Sequence, residues 1–441
     1  MIDSLLVANR GEIARRVIRT ARRLGVRTVA VHSEADAGLP FVAEADEAVL
    51  IGPAQAYRNV EAILSAAKAT GALAIHPGYG FLSENADFAR AVVEQGLIWV
   101  GPDASAIEAM GDKINARNLM AAAGVPVAPG TTDPAETIEA AVAEAIRIGY
   151  PVMVKAAAGG GGMGMAAAID EAGLRTEFAK VRGFAERMFG DGSVLIERYF
   201  PRVRHIEVQI LGRADGRVVA LGERECSVQR RNQKVLEESP SPAVSPQLRE
   251  RLCAAAVRAG EAVGYRNAGT VECLLDPATG EFFFLEMNTR LQVEHPITEA
   301  VYGVDLVEEQ LRVASGLPPT FGDLTPTGHA IELRINAEDP KRFLPGPGAI
   351  TTWVEPSGDG IRIDAGYGPG TTVTPNYDSL MAKLIVSGPS RAAVIERARA
   401  AVAAFQIAGP KCNLPFFAEL LENPEFLSGD YDTGIVGRMR A

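Results

Sequence analysis

The first hundred residues alternate short apolar runs with stretches of helical periodicity, and this alternation restricts the fold more than any other feature. Leu5–Ala8 is an apolar run, Ile13–Leu24 places its apolar residues three or four positions apart, and Thr28–Val31 is apolar again. Two strands joined through a helix lie parallel in one sheet. Because the pattern repeats up to Gly101, we predict that residues 1–105 form a doubly wound domain around a parallel sheet.

The rest of the chain predicts two further kinds of architecture. Residues 106–127 contain a helical stretch followed by chain-breaking residues, and we predict that they link two domains. Residues 128–200 combine strands and helices around a glycine run, which predicts a small inserted α+β domain. In residues 201–441 strands such as His205–Leu211 and Arg217–Gly222 follow each other through short turns, which predicts a mixed, mostly antiparallel sheet. The predicted fold class is therefore α/β together with α+β.

Composition and charge narrow the class of protein. A length of 441 residues accommodates several domains, and 44 Lys and Arg against 55 Asp and Glu give a net charge of −11. This charge argues against nucleic-acid binding and against attachment to an anionic membrane. The sequence has no apolar run near the ~20 residues of a membrane span, and its four cysteines lack metal-binding spacing. We predict a cytoplasmic protein that acts on small molecules or proteins.

The strongest chemical signal is a polar run in the last domain. Glu286, Asn288, Arg290, Gln292 and Glu294 occupy every second position, so an extended segment carries all five on one face. Alternating charges are also typical of a solvated face with surface salt bridges. Because five functional groups recur in one run between apolar flanks, we favour a functional site.

A second carboxylate precedes this run. A hairpin that turns at Asp276–Gly280 pairs Glu272 with Phe284 and makes Glu286 the diagonal neighbour of Glu272, at roughly 7–8 Å. Buried carboxylates require a cation. Hard oxygen ligands favour Mg²⁺ that bridges the phosphates of a nucleotide.

A glycine run follows the predicted strand that ends at Lys155. The segment from Lys155 to Met165 reads Lys-Ala-Ala-Ala-Gly-Gly-Gly-Gly-Met-Gly-Met, which matches neither a P-loop nor a dinucleotide-binding motif. Backbone amides in such a loop can approach phosphates closely. Glycines alone are also typical of a flexible linker, but Lys155 at the end of a buried strand favours phosphate binding.

Basic residues and a glycine-rich turn add weaker signals. Arg230, Arg231 and Lys234 cluster in an acidic protein, which indicates an anion site, whereas a single lysine such as Lys113 is usually a solvated surface residue. The segment His76–Phe81 follows a strand at the edge where parallel sheets bind ligands. The same segment is also typical of a plain tight turn.

Together these residues resemble the biotin carboxylase component of biotin-dependent carboxylases, an ATP-grasp enzyme. The resemblance covers essentially the whole chain and implies an ATP-grasp fold in which residues 128–200 form the lid. The matching runs are Val7–Ala14, His76–Asn85, Met110–Lys113, the glycine run after Lys155, Glu225–Arg231 and Glu286–Pro296.

The resemblance implies a nucleotide site for ATP. Lys113 and Lys155 would hold phosphates, and Gly161 and Gly162 would close over them. The other residues implied in this site are Glu197, Arg198, Tyr199, Phe200, His205, Asn232, Glu272 and Glu286.

The resemblance also implies a metal site and a bicarbonate site. Glu272, Glu286 and Asn288 would bind Mg²⁺ or Mn²⁺. Glu294 would be the base that deprotonates bicarbonate, which then attacks the γ-phosphate of ATP and gives carboxyphosphate and ADP. The residues that would bind bicarbonate are Lys234, Arg290, Gln292 and Val293.

Carboxylation of biotin would follow in the same site. Carboxyphosphate would break down to CO₂ and phosphate, the phosphate would deprotonate biotin, and Arg334 would stabilise the biotin enolate. Tyr79 and Phe81 would lie near biotin. The catalytic residues implied by the resemblance are Arg290, Glu294, Lys234 and Arg334.

The resemblance further implies partners. The sequence up to Ala441 has no Met-Lys-Met segment of a biotinyl domain, so we expect a separate biotin carboxyl carrier protein and a separate carboxyltransferase. We expect a component of an acyl-CoA carboxylase that acts on acetyl-CoA or propionyl-CoA in fatty acid biosynthesis. Arg16 and the Tyr377–Asp378 turn resemble positions at the dimer interface of the family, which implies a homodimer.

Three positions depart from the family pattern. Met163 and Ala166 stand where basic residues are common, which removes cationic lid contacts, and Asn232 stands where histidine is commonest. Two alternative functions therefore stay open. One is another ATP-grasp ligase that joins a carboxylate to an amine, and the other is a regulatory paralogue that binds ATP without chemistry.

Overall fold

The N-terminal residues fold around a five-stranded parallel sheet in the computed structural model, which describes residues 1–157, 164–322 and 324–440. Its elements are β1 (Ser4–Val7), α1 (Gly11–Arg23), β2 (Arg27–Ser33), α2 (Pro40–Glu44), β3 (Glu47–Gly52), α3 (Val60–Thr70), β4 (Ala74–His76), α4 (Ala86–Glu94) and β5 (Ile98–Trp99), with 3₁₀ turns at Glu34–Asp36 and Ala54–Arg58. The strand order is β3-β2-β1-β4-β5.

Successive residues of β1 serve opposite faces of this sheet. Leu5 packs in one apolar cluster with Ile13 of α1, whereas Leu6 packs in another with Ile63 of α3 and Phe88 of α4. Helices therefore cover both faces, and the predicted doubly wound parallel sheet is confirmed.

Two helices lead into the inserted domain. They are α5 (Ala104–Gly111) and α6 (Lys113–Ala122). The inserted domain consists of α7 (Ile138–Ile148), β6 (Val152–Ala156), β7 (Met165–Ala168), α8 (Glu171–Phe189) and β8 (Val194–Arg198). Its strands are antiparallel in the order β7-β6-β8, and both helices contribute to its own apolar core. The predicted lid residues Gly161 and Gly162 lie outside the described residues.

The remaining residues form an antiparallel sheet and its covering helices. The elements up to residue 336 are β9 (Arg204–Gly212), β10 (Val218–Arg230), β11 (Gln233–Ser239), α9 (Pro246–Ala262), β12 (Asn267–Leu275), β13 (Phe282–Asn288), α10 (His295–Tyr302), α11 (Leu306–Ala314) and β14 (His329–Asn336). Those that follow are β15 (Gly348–Ala349), β16 (Thr352–Val354), β17 (Ile361–Ala365), β18 (Thr372–Val373), β19 (Leu380–Gly388), α12 (Arg391–Ala404), β20 (Gln406–Ala408), α13 (Leu414–Leu420), α14 (Pro424–Ser428) and α15 (Ile435–Met439).

The large sheet has eight strands in the order β13-β12-β9-β10-β11-β14-β19-β17. All its neighbouring strands are antiparallel, which confirms the predicted sheet type. Leu333 of β14 and Leu384 of β19 share an apolar cluster with Leu5 and Ile13, so the parallel sheet and the large sheet are joined by one core. None of the described helices is both long enough and apolar enough to cross a membrane.

Candidate active site

One large cavity opens between the parallel sheet, the inserted domain and the large sheet. Its volume is about 1120 Å³. The predicted site residues that line it are Tyr79, Phe81, Lys113, Lys155, Glu197, Arg198, Tyr199, Phe200, His205, Asn232, Lys234, Glu272, Glu286, Asn288, Arg290, Gln292, Val293 and Arg334. Glu294 is fully buried and contacts two of these residues, Lys234 and Arg334.

The acidic hairpin has a different register from the predicted one. Glu272 lies directly opposite Glu286 and not opposite Phe284. The turn is one residue longer than predicted, and a bulge between Glu272 and Cys273 shifts the ladder by one residue more. The predicted pairing is therefore wrong, because alternation shows which face a residue occupies but does not reveal a bulge. The two carboxylates are direct neighbours across the ladder and lie closer than the predicted diagonal.

Glu272 is buried and surrounded by donors. Its Oε1 accepts hydrogen bonds from Lys234 Nζ (2.8 Å), Asn288 Nδ2 (2.9 Å) and Gln292 Nε2 (3.2 Å). Its Oε2 lies 2.8 Å from His205 Nε2. Burial by itself would raise the pKa of Glu272, but the charges of Lys234 and His205 outweigh burial and hold that pKa far below its usual range.

Glu286 is exposed to the cavity. Partial desolvation and the neighbouring Glu272 raise the pKa of Glu286, and the charge of Lys113 offsets part of this effect. A divalent cation between the two carboxylates would relieve their repulsion. Glu272, Glu286 and Asn288 therefore fit a hard divalent cation by the chemistry of their oxygen donors.

Lys234 is the centre of a buried ionic network. Its Nζ donates to Glu207 (2.6 Å), Glu272 (2.8 Å) and Glu294 (2.7 Å). Burial lowers the pKa of Lys234, but the three carboxylates raise it well above its ordinary value. His205, Glu207 and Glu272 also bring one ligand atom each within 4.8 Å of one another. The Lys234 ammonium already donates a hydrogen bond to each of the two carboxylates in that group.

Glu294 ends the polar run at the start of α10. Its Oε1 accepts from Lys234 Nζ (2.7 Å) and its Oε2 from Arg334 Nη2 (2.9 Å). Burial raises the pKa of Glu294, but Lys234 and Arg334 outweigh burial and lower it well below its ordinary value. The result is a charged carboxylate between two cations, which can accept a proton from an anion that the same cations attract.

Arg290 connects the polar run to the N-terminal residues. Its Nε donates to Glu84 Oε2 (2.9 Å), its Nη1 to Gln292 Oε1 (2.8 Å) and its Nη2 to Asn288 Oδ1 (3.0 Å). Asn288, Arg290 and Gln292 thus lie together, although β13 ends at Asn288 and the run beyond it is not the extended segment that was predicted. Bonds from both sides of the cavity fix the guanidinium.

Two residues of these networks escaped the sequence-based prediction. Glu207 accepts from Lys234 and from the buried Arg224, and Glu84 orients Arg290. A signal for Glu207 exists in β9, where His, Glu and Gln alternate as they do in the polar run. Glu84 lies in a loop, where periodicity gives no signal.

The other end of the cavity carries two lysines. Lys155 Nζ donates to Glu197, which lies on the neighbouring strand β8. Burial lowers the pKa of Lys113, and the charge of Glu286 opposes that change. The Lys113 ammonium therefore lies beside the acidic hairpin, whereas the Lys155 ammonium is paired with Glu197.

An aromatic wall lies at the same end. Phe200 stacks on Phe283 with ring centroids 4.9 Å apart and an interplanar angle of 20°. Next to it, Arg198 Nη1 donates to the C=O of Gly149 (2.9 Å), so this guanidinium is engaged within the inserted domain. The stacked rings offer a flat apolar surface to a planar ligand.

Asn232 lies in the tight turn between β10 and β11. Arg230 pairs with Gln233, and the two residues between them, Arg231 and Asn232, have φ of +49° and +65°. A two-residue hairpin turn with positive φ at both positions favours Gly, Asn and Asp. The turn thus gives a backbone reason for the asparagine at position 232.

Alternation along β7 places the side chains of Met165 and Ala166 on opposite faces of the sheet. Met165 pairs with Lys155, whereas Ala166 pairs with Val154. Val154 belongs to the core of the inserted domain and Ala166 packs against that core. An arginine at position 166 would therefore start from the core face and not from the face of Lys155. The other lid position in question, Met163, lies outside the described residues.

Two N-terminal loops meet at the cavity. Asn9 Nδ2 donates to two carbonyl groups of residues 77–79, each at 2.7 Å. Gly78 has φ of +64°, and a Cβ there would lie 2.7 Å from Asn9 Nδ2, so glycine is required. The hydroxyl of Tyr79 in turn donates to Glu12. The glycine-rich turn therefore positions Tyr79 at the cavity.

Three stretches of the chain match models of known protein families. Residues 1–107 match the family "Biotin carboxylase, N-terminal domain" and residues 332–438 match "Biotin carboxylase C-terminal domain". Residues 112–320 match "Carbamoyl-phosphate synthase L chain, ATP binding domain".

Similar proteins cover the whole length. A biotin carboxylase of Halalkalibacterium halodurans is 50% identical over 99% of this chain and 97% of its own length. A pyruvate carboxylase component of Methanothermobacter thermautotrophicus is 49% identical over 100% of this chain and 90% of its own length. The solved biotin carboxylase domain dimer of 2-oxoglutarate carboxylase from Hydrogenobacter thermophilus, in complex with MgADP, ADP and bicarbonate, has a TM-score of 0.95 and 43% identity. That likeness covers 99% of this chain and 98% of the solved chain.

The fold and the matches define an ATP-dependent ligase of the ATP-grasp type. Within that class, the chain belongs to the biotin carboxylase family. The family, the fold class and the enzyme class predicted from the sequence are thereby confirmed.

Proposed function

We propose that this chain catalyses the ATP-dependent carboxylation of biotin by bicarbonate through carboxyphosphate, with ADP and phosphate as the other products. The observation that carries the proposal is the buried Glu294 carboxylate between Lys234 and Arg334. This arrangement supplies a charged base and two cations for one small anion. The bicarbonate in the solved Hydrogenobacter relative supports it.

Bicarbonate beside Glu294 would compete for its two cations. Lys234 and Arg334 both donate to Glu294, which keeps the pKa of that carboxyl low. An anion that attracts these donors raises the proton affinity of Glu294, which can then remove the bicarbonate proton. Arg334 would next stabilise the biotin enolate. The residues proposed to bind bicarbonate are Lys234, Arg290, Gln292 and Val293.

We propose that ATP binds at the end of the cavity that carries Lys113 and Lys155. The two ammonium groups would neutralise phosphate oxygens, and Gly161 and Gly162 would close over them. The stacked ring of Phe200 offers a surface to the adenine. The other proposed nucleotide contacts are Glu197, Arg198, Tyr199, His205, Asn232, Glu272 and Glu286.

Glu272, Glu286 and Asn288 would hold Mg²⁺ or Mn²⁺. When bound, such a cation neutralises phosphate charge during phosphoryl transfer. The chain's own contribution is to keep two carboxylates side by side, with Glu272 held ionised by Lys234 and Glu286 facing the cavity.

Biotin would bind near Tyr79 and Phe81, on the N-terminal side of the cavity. Phe81 stacks on Tyr57 with ring centroids 5.0 Å apart, which provides an apolar wall for the bicyclic ring. Arg334 lines the same cavity from the large sheet.

The variant Glu294→Gln tests the proposed reaction. We expect bicarbonate-dependent ADP release to fall about 10²- to 10⁴-fold, because the base is lost, while MgADP binding measured by calorimetry stays unchanged. Glu309→Gln is the matched control, because Glu309 is a buried carboxylate that bonds Thr320 outside the cavity.

Two results would contradict the proposal. Turnover by the unaltered chain that ignores bicarbonate and free biotin would favour another carboxylate–amine ligase. Nucleotide binding with no ADP release, even with a biotinylated carrier added, would favour the regulatory paralogue.

We further propose that biotin arrives on a separate biotin carboxyl carrier protein and that a separate carboxyltransferase uses the product. The acceptor we propose is acetyl-CoA or propionyl-CoA. The names of the pyruvate and 2-oxoglutarate carboxylase relatives make 2-oxo acids the second candidate class. Mass spectrometry of the biotinylated protein and the carboxyltransferase that co-purify with the tagged chain distinguishes the two.

We propose a homodimer, supported by the dimer of the Hydrogenobacter relative. Arg16 donates to Glu299 (2.6 Å) and Asp305 (2.7 Å) and lines a surface cavity of about 390 Å³ together with Arg362. The Tyr377–Asp378 turn is the second proposed interface segment. A monomer mass by light scattering would contradict this assembly.

We also propose a domain division and a compartment. Residues 1–105, 106–127, 128–200 and 201–441 are the proposed units, and the separate core of the inserted domain supports the third of them. The four free thiols support a reducing cytoplasm. Hydrogen exchange tests the domain division, because each unit should protect its own set of backbone amides. Fractionation of the source cells tests the compartment.

A further inference from the structure

Two carboxylates lie behind Arg334, and the proposed reaction does not use them. Glu237 of β11 and Glu332 of β14 are directly opposite each other in the antiparallel ladder. Neither has any exposed surface. Directly opposed residues carry their Cβ atoms about 4.5–5.5 Å apart, so these side chains meet in the interior.

The carboxyl oxygens of this pair have few hydrogen-bond donors among the described residues. Glu237 Oε1 lies 2.6 Å from Arg334 Nη2. Within the described ranges, however, neither oxygen of Glu237 and neither oxygen of Glu332 accepts a well-aligned hydrogen bond. Two opposed ionised carboxylates in this position would each lack solvation and would repel each other. One shared proton removes a charge and supplies an O–H donor.

The charges around the pair leave little compensation for a second negative group. Arg334 is already bound to Glu294 (2.9 Å). Lys383 donates to the C=O of Val293 (2.9 Å) and lies 3.1 Å from Glu12. The charges that act on the pair are those of Lys234, Arg334, Lys383 and Glu294. Lys383 in turn lies near Glu12, Asp364 and the neutral His295.

An irregularity in β11 brings Glu237 to this place. The register of β10 and β11 shifts by one residue between the pairs Val228–Leu236 and Gln229–Lys234. In a regular strand, residues three positions apart point to opposite faces. The bulge lets Lys234 and Glu237 serve the same face, where Lys234 bonds Glu294 and Glu237 meets Arg334.

We propose that Glu237 and Glu332 form a positioning pair that shares one proton and holds Arg334 against Glu294. Glu237 takes one side of the Arg334 guanidinium and Glu294 takes the other. Glu332 carries the proton that allows Glu237 to remain there as a carboxylate. The consequence for turnover rests on the proposed function, because it assigns Arg334 to the substrate, whereas the proton sharing does not.

The titration of the pair agrees with this geometry. Burial raises the pKa of Glu237 to about 7, with Arg334 opposing and Glu294 adding to the rise. Burial also raises the pKa of Glu332 well above its ordinary value. The pair therefore retains one proton at neutral pH and takes up a second as the pH falls below about 7, which releases Arg334 from Glu237.

Infrared spectroscopy of the chain and its Glu332→Gln variant tests the shared proton. At mildly alkaline pH, we expect the difference spectrum to show loss of the C=O band of a protonated carboxylic acid. Loss of carboxylate bands instead would overturn the proposal. If Glu332→Gln does not fold, Glu237→Gln must retain an acid band for Glu332, and an ionised Glu332 in that variant would equally overturn the proposal.

The pH profile of biotin-stimulated ADP release tests the positioning role. We expect the profile of the unaltered chain to bend near pH 7 and that of Glu237→Gln to lose this bend. We also expect kcat of the variant to fall about tenfold, with little change in KM for ATP. Glu309→Gln, the same change outside the cavity, should keep the bend. A bend that survives in Glu237→Gln would overturn the positioning role. A chain without turnover would refute the proposed function and leave the infrared result decisive for the shared proton.

Discussion

At the scale of single residues, the state of each carboxylate in the cavity follows from the cation beside it. Glu272 and Glu294 are buried, yet Lys234 keeps both ionised. Glu286 has a raised pKa because desolvation and the charge of Glu272 both disfavour its ionised form, and the charge of Lys113 offsets part of this effect. One residue type thus differs in its tendency to ionise according to its neighbours.

The buried Glu238 gives a stability prediction outside the cavity. Burial raises its pKa, but bonds from His329 (2.7 Å) and Arg391 (2.7 Å) outweigh burial and lower the pKa from 4.5 to about 2. The ionised form therefore stabilises the fold above pH 4.5, and this contribution is lost as the pH falls toward 2. We expect Glu238→Gln to lower the free energy of unfolding at neutral pH by about 3 kcal/mol.

Urea denaturation at neutral pH and at a pH between 2 and 4.5 measures how much Glu238→Gln lowers the free energy of unfolding. The difference in free energy of unfolding between the unaltered chain and Glu238→Gln should be smaller at the lower pH. Glu425→Gln, which removes a partly exposed partner of Arg438, should change stability little at either pH. A gap for Glu238→Gln that does not depend on pH would contradict the assignment.

At the scale of elements, periodicity predicts faces but not registers. The strand–helix alternation correctly indicated the parallel sheet. The polar run was predicted to be extended throughout, whereas β13 ends at Asn288 and the chain beyond the strand brings Arg290 and Gln292 together with it. The pairing of Glu272 was predicted wrongly because a bulge has no periodic signature. Glu237 was missed for the same reason, since a bulge in β11 sets its face. Contacts such as Arg290 with Glu84 are separated by some two hundred residues and depend on tertiary packing alone.

The face of β7 that carries Met165 gives a prediction for nucleotide binding. Met165 shares the face of Lys155 and lines the cavity. We expect Met165→Glu to raise KM for ATP at least about tenfold, because a carboxylate would oppose the phosphates and pair with Lys155. Steady-state kinetics at varied ATP measures this effect.

The matched control is Ile169→Glu, the same new charge on a residue that is 76% exposed. It should leave KM for ATP unchanged. An equal rise in KM for both variants would mean that the position of Met165 opposite Lys155 does not decide nucleotide binding.

At the scale of the whole molecule, the shared core and the core of the inserted domain differ in how strongly they stabilise the fold. Residues of α1 and β1 share one apolar core with β14 and β19, so the first and last parts of the chain depend on each other. The inserted domain has a separate core that is rich in alanine, including Ala141, Ala145 and Ala185. Small cores bury less apolar area and stabilise less.

Hydrogen exchange should reveal this difference. We expect amides of α7 and α8 to exchange faster than those of α1 and β14, because opening the inserted domain leaves the shared core intact. Mass spectrometry after deuterium labelling measures the rates, and MgADP should slow exchange in the inserted domain selectively. Equal protection of the two cores would contradict the prediction.

The strand order of the large sheet sets when the site can form during synthesis. β14, which carries Arg334, lies between β11 and β19, and β19 carries the buried Lys383. A nascent chain on the ribosome therefore holds its acidic hairpin and Lys234 well before Leu380–Gly388 emerges to complete the sheet around Arg334. Products terminated before Leu380 would retain these carboxylates without Lys383, so we expect carboxylating activity only once β19 has been made.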